Sequence, residues 1–152
     1  MGIDTLTFIK KEDLPKFIKE FGIEGLLKLR FYRWYSFCDY FGIEERDKVT
    51  SKELLKEMKI KTDLEKIAEE IESEAEEEEN ERKALAKLLA VKVIKEIAEE
   101  EKEEIENFYK EVFEKFDIIF IPDSSEEVKE LEKTHIEVYD AISEAENYLT
   151  TK

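Results

Sequence analysis

Arg46 and Glu53, seven residues apart, are the side chains whose types and spacing say most in this 152-residue chain. Thr50 with Glu53 three positions on is a capping box, which predicts a helix from about Ser51. Arg46, three residues before Val49, then lies within reach of a charge-assisted hydrogen bond from loop to helix. Such a pair latches a loop; it catalyses nothing. Arg46→Ala is expected to destabilise the protein by about 1 kcal/mol if the site is exposed and by more if it is buried.

The remaining chemistry is sparse. Glu132 and His135 spell Glu-x-x-His, the element that carboxylate-bridged metal bundles turn inward. The chain has a single histidine, so the usual pair of such elements cannot be built and these two are weak metal candidates. All four glycines precede residue 43, which leaves no Gly-rich phosphate loop, and no Ser/His/Asp spacing suggests a nucleophile. Cys38 lies in the most apolar stretch, where packing is the expected role. Trp34, Tyr32 and Tyr35 beside Arg30 and Arg33 are the types that stack on single-stranded bases, yet their crowded helical spacing suits a core better. No catalytic residue and no cofactor is assigned, and the chain is read as non-enzymatic.

Elements must position these groups. Thr5 to Ile9 reads as a short, extended lead-in, and Asp13 with Pro15 opens a first helix of roughly Leu14 to Phe21. Gly22 and Gly25 punctuate a loop. From Leu26 to Phe41 the residues are apolar nearly all round, which predicts a long central helix. A third helix from Ser51 ends near Ile60. Thr62 with Glu65 is a second capping box, and the helix it starts fades into the solvated run Glu76 to Glu79. Glu81 to Phe116 is the longest helical stretch, with Leu85, Leu88, Leu89, Ile94 and Ile97 at helical spacing before a gap of charges. Ile118 to Ile121 is β-prone and stopped by Pro122, and Ser124 with Glu127 predicts a terminal helix through Tyr148. The pattern is helix, long helix, helix, written twice with a seam near Lys61. It predicts one unit over 1–60 and another over 61–152, sharing a core.

Composition bounds the partners. Charged residues make up 43% of the chain, there is no glutamine, and the formal net charge is −16, a balance like that of ion-pair-rich proteins from hot-living organisms. Residues 1–60 carry +1 and residues 61–152 carry −17. Charge this negative repels nucleic acid at long range, so any DNA contact must be local. One cysteine excludes a disulfide framework within the chain. The given sequence opens on no basic leader, and no apolar run nears the ~18 residues of a membrane span. A soluble, cytoplasmic protein is expected.

A short helix, a long central helix and a short third helix, with an Arg-x-x-Val loop leading to an acidic residue seven beyond the arginine, resembles the histone fold. Two such units in one chain resemble the single-chain double histones. The resemblance implies an all-α fold, two helix-loop-long helix-loop-helix units clasped as an intramolecular pseudo-dimer, and hence a monomer. Arg46 and Val49 match the second-loop pattern, and Glu53 stands where the family usually has aspartate. The second half brings no arginine near Asp123 and Ser124. By the same resemblance, Lys10, Lys11, Lys28, Arg30, Arg46 and Lys48 are candidates for non-specific contact with the DNA backbone. Arg82, Lys83, Lys87, Lys92 and Lys95 form a second cluster whose spacing also suits an exposed helix face.

Three functions follow as expectations. The first is a histone-like protein with local DNA binding. The second is an acidic protein-interaction module, engaging a basic partner or mimicking DNA. The third and weakest is a carboxylate-rich metal-binding bundle. The first two are separated by whether the six basic positions converge on one face.

Overall fold

The computed structural model describes residues 2–150, with side chains through residue 147. It corrects the all-α, tandem histone-fold expectation, because the chain builds a four-stranded antiparallel sheet. The strands are β1 (Thr5–Lys10), β2 (Val49–Thr50), β3 (Ile118–Pro122) and β4 (His135–Glu137) in the order β2-β3-β1-β4. The helices are α1 (Leu14–Lys28), α2 (Trp34–Tyr40), α3 (Ser51–Glu57), α4 (Asp63–Glu77), α5 (Glu81–Lys115), α6 (Val128–Leu131) and α7 (Val138–Thr150). The chain divides into two compact units, one of residues 1–58 and 111–152, the other of residues 59–110. Residues 111–152 thus belong with residues 1–58, where the sequence reading set 61–152 apart as one unit.

The first unit is organised by β1 and β3. Thr7 pairs with Phe120 and Ile9 with Ile118 on one face, while Phe8 pairs with Ile119 and Leu6 with Ile121 on the other. Ile9, Ile118 and Phe120 are buried on the first face, Phe8 and Ile121 on the second. A strand covered on both sides reads as an apolar run rather than an alternation, and that is how Ile118 to Ile121 reads. An aromatic cluster fills the Phe120 face: Phe37 stacks on Phe120 at 4.7 Å between centroids, with Phe31, Phe41 and Phe113 around them.

The expected long helix from Leu26 to Phe41 does not form. Its middle, Leu29 to Trp34, is held against the start of the chain: Thr5 N–H donates to the Tyr32 carbonyl at 2.6 Å, Trp34 N–H to that of Ile3 at 2.9 Å, and the Thr7 hydroxyl to that of Leu29 at 2.8 Å. Backbone bonds to a distant strand outcompete the local helical ones. Helix α1 instead runs to Lys28 across a kink at Gly22, whose φ of 69° and ψ of −174° are open only to glycine. The Ser124 box also fails to start one terminal helix. The Ser125 hydroxyl accepts the Glu127 N–H, α6 lasts a single turn, and His135 to Glu137 then joins β1 as an edge strand.

The second unit is a helical hairpin of α4 and the part of α5 up to Lys110. The Thr62 hydroxyl caps α4 by accepting the Glu65 N–H at 3.2 Å. After the loop, the Asn80 carboxamide oxygen accepts the N–H groups of Arg82 and Lys83 at 3.0 and 3.2 Å and starts α5. Ala68 and Ala75 of α4 and Val91 and Ala98 of α5 are buried. The seven-residue spacing within each pair is that of a coiled-coil seam.

Candidate interaction surface

Helix α5 is the element whose residues are not accounted for by the hairpin. From Ala84 to Ala98, eleven of fifteen residues are apolar, and at 3.6 residues per turn so many cannot share one face. The seam takes Val91 and Ala98. Leu85, Leu89, Val93 and Ile97, each four residues after the last, emerge away from it. These four and Leu88 are all between 48% and 59% exposed. A lone exposed leucine needs no explanation, but a contiguous row is the mark of a contact surface.

Which face of α5 meets α4 is chosen by charge. Lys87 Nζ donates to Glu78 at 3.1 Å, Lys95 to Glu72 at 3.1 Å, and Lys102 lies 3.3 Å from Glu65. The Lys87 ammonium holds the Glu78 carboxyl below its ordinary range, aided by the Asn80 N–H. Arg82, Lys83 and Lys92 remain on the exposed side of the helix. Glutamates take over from Glu96 onward.

The sequence-predicted DNA candidates lie in the first unit, and carboxylates or an aromatic ring engage most of them. Lys10 Nζ donates to Asp117 at 3.2 Å and Lys48 Nζ to Glu127 at 3.3 Å. Arg46 Nη1 donates to Glu57 at 2.8 Å and Glu53 at 3.2 Å, so the expected Arg46–Glu53 pair is present and shared with Glu57. Arg46 depresses the Glu57 carboxyl pKa, chiefly through that hydrogen bond. Arg30 lies 3.9 Å over the Tyr139 ring, and its pKa is raised mainly by a hydrogen bond to Tyr139. Lys28 ends α1, and Lys11 is exposed just after β1. Lys10 extends β1 past the Ile9–Ile118 pair, whereas Lys48 precedes the Val49–Phe120 pair on the far side of β3. Lys10 and Lys48 therefore sit at opposite ends of the sheet.

Glu132 and His135 do not share a helix, since His135 opens β4 and Glu132 closes α6. Burial is the main cause lowering the His135 pKa, followed by the Lys10 charge. No group of three or more His, Cys, Asp or Glu among the described residues is arranged to hold a metal ion. Cys38 is buried, and desolvation lifts its pKa to about 11. Trp34 is buried with its indole N–H on the Arg46 carbonyl at 3.0 Å, while Tyr32 and Tyr35 are exposed.

The α5 row was missed because its leucines fit a core helix equally well. The legible signal was an apolar run too dense for one face. No helix among the described residues is long and apolar enough to cross a membrane. Comparison of the chain with protein-family models, curated proteins and solved structures finds no match.

Proposed function

We propose that this chain is a non-catalytic protein-interaction module, and that α5 is the surface it presents. One observation carries the reading. A helical stretch with apolar residues on more than one face is normally buried on each, and Ala84 to Ala98 of α5 is covered by α4 on one side while Leu85, Leu89, Val93 and Ile97 stay in solvent on another. Backbone-directed DNA binding is the less favoured activity, because Lys10, Arg46 and Lys48 spend their charge on Asp117, Glu53, Glu57 and Glu127. Net charge adds a long-range barrier to a polyanion.

The test is a triple change, Leu85→Gln, Leu89→Gln and Val93→Gln, followed by far-UV circular dichroism and an association assay. The row serves a partner if the variant keeps the helical signal of the parent and loses association. Loss of the helical signal would place the row in the chain's own core and end the reading. A gel shift that weakens steeply with salt would restore DNA as the ligand.

A further inference from the structure

Resting on that reading, the next question is what covers α5, and the pattern of the helix answers it. We propose that the occupant is α5 of a second copy of this chain, packed antiparallel about a two-fold axis level with Val91.

The row is self-complementary in that arrangement. Leu85 and Ile97 stand six residues to either side of Val91, and Leu89 and Val93 two residues to either side. Across an antiparallel two-fold, Leu85 of one copy meets Ile97 of the other and Leu89 meets Val93, each pair occurring twice. Closed dimers require such an isologous patch. The ends match in charge as well. Arg82 and Glu100 each lie nine residues from Val91, and their separation of eighteen residues is five helical turns, so both project from the face that carries Leu89 and Val93. Arg82 of one copy then faces Glu100 of the other.

The charge pattern along the helix favours the same direction. From Arg82 to Lys95 the helix holds five basic residues and no acidic one; from Glu96 to Glu106 it holds seven glutamates and one lysine. With the axis level with Val91, Arg82 and Lys83 of one copy come level with Glu100 and Glu99 of the other, whereas parallel pairing sets like on like. Lys87 and Lys95, four residues to either side of Val91, stay clear of that face because they point to α4 and pair with Glu78 and Glu72.

Area suffices for association. The exposed apolar side chains amount to roughly 400 Å² per copy, within the range of the largest functional patches on single chains. The alanines between them and the stems of the flanking charges extend the patch toward the ~800 Å² per partner of a standard interface. The monomer expected from sequence depended on the intramolecular handshake, which the sheet replaces.

The experiment uses the full chain in sedimentation equilibrium across a concentration series. A monomer–dimer equilibrium is expected. Arg82→Glu or Glu100→Arg alone should weaken it by about tenfold, since either places like charges together at both ends of the interface, and Arg82→Glu with Glu100→Arg should restore it. Register is read by oxidation: Leu85→Cys alone and Ile97→Cys alone stay uncross-linked, while a mixture of the two variants forms the disulfide. Cross-linking of each variant with itself, or a wild-type chain that stays monomeric at every concentration, overturns the second-copy assignment. A monomer whose triple glutamine variant still folds leaves the interaction module standing with a different partner. A triple variant that unfolds removes both.

Discussion

Ser51 makes two buried hydrogen bonds that tie α3 to β3, and removing its hydroxyl should be among the most damaging single-atom changes in the first unit. Ser51 Oγ accepts the Ile118 N–H at 3.0 Å and donates to the Phe116 carbonyl at 3.2 Å, with all three residues buried. Ser51→Ala leaves a buried donor and a buried acceptor where water has no ready access. An unsatisfied buried group costs about 1–3 kcal/mol, so the pair is worth roughly 2–4 kcal/mol. The change also brings alanine into the first turn of α3, a gain of no more than about 0.5 kcal/mol that does not alter the sign. For a folding unit of this size the net loss corresponds to a fall in Tm of roughly 10–20 °C. Urea unfolding followed by the fluorescence of Trp34 and by far-UV circular dichroism measures it. A midpoint within the error of wild type would mean that the β3 start finds other partners and that the α3 to β3 tie is dispensable.

Three further outcomes follow from the same geometry. Because Arg46 depresses the Glu57 pKa, its contribution to stability is fully present above the ordinary carboxylate range and is lost as pH falls through the depressed folded value. Arg46→Ala should therefore flatten the acid limb of the stability profile relative to wild type, and parallel profiles would refute the link. Cys38, with its pKa near 11, should resist a thiol-specific aromatic disulfide at pH 8 in the native protein and react promptly in denaturant. Gly22→Ala should cost about 1–3 kcal/mol although a Cβ there meets nothing within 4 Å, because the strain is in the backbone; unchanged thermal unfolding would contradict it.

What could be read from the sequence was what neighbours in the chain decide. Thr50 and Thr62 were legible as caps because each hydroxyl finds an N–H three residues away, at Glu53 and Glu65. The Arg46–Glu53 pair was legible for the same reason, though Glu57 as a second partner was not. The sheet was illegible because its central pairing joins Thr5–Ile9 to residues more than a hundred positions on. Leu26 to Phe41 carried every local mark of one helix. It broke because Ile3, Thr5 and Thr7 offer bonds to Leu29, Tyr32 and Trp34 that no local propensity records. Lys10 and Lys48 were read as candidates for the DNA backbone, and their carboxylate partners, Asp117 and Glu127, were illegible because they come from the far end of the chain.

The hairpin explains how an apolar row can stay available without collapsing onto its own unit. Apolar residues lie on more than one face of the stretch Ala84 to Ala98, so hydrophobicity alone does not fix the face that meets α4, and rolling α5 would bury Leu85, Leu89 and Val93 at little cost in area. Ion pairs supply the missing preference. Lys87, Lys95 and Lys102 meet Glu78, Glu72 and Glu65 only when Val91 and Ala98 face the seam. Half-exposed pairs of this kind add little to stability individually. Their effect is on the alternative: a rolled helix would give up all three pairs and set Leu85, Leu89 and Val93 against Glu65, Glu72 and Glu78, and the cost of leaving those carboxylates without partners beside an apolar row selects against it. The acidic composition thus sets the rotation of α5, and the rotation of α5 sets which leucines are left to bind.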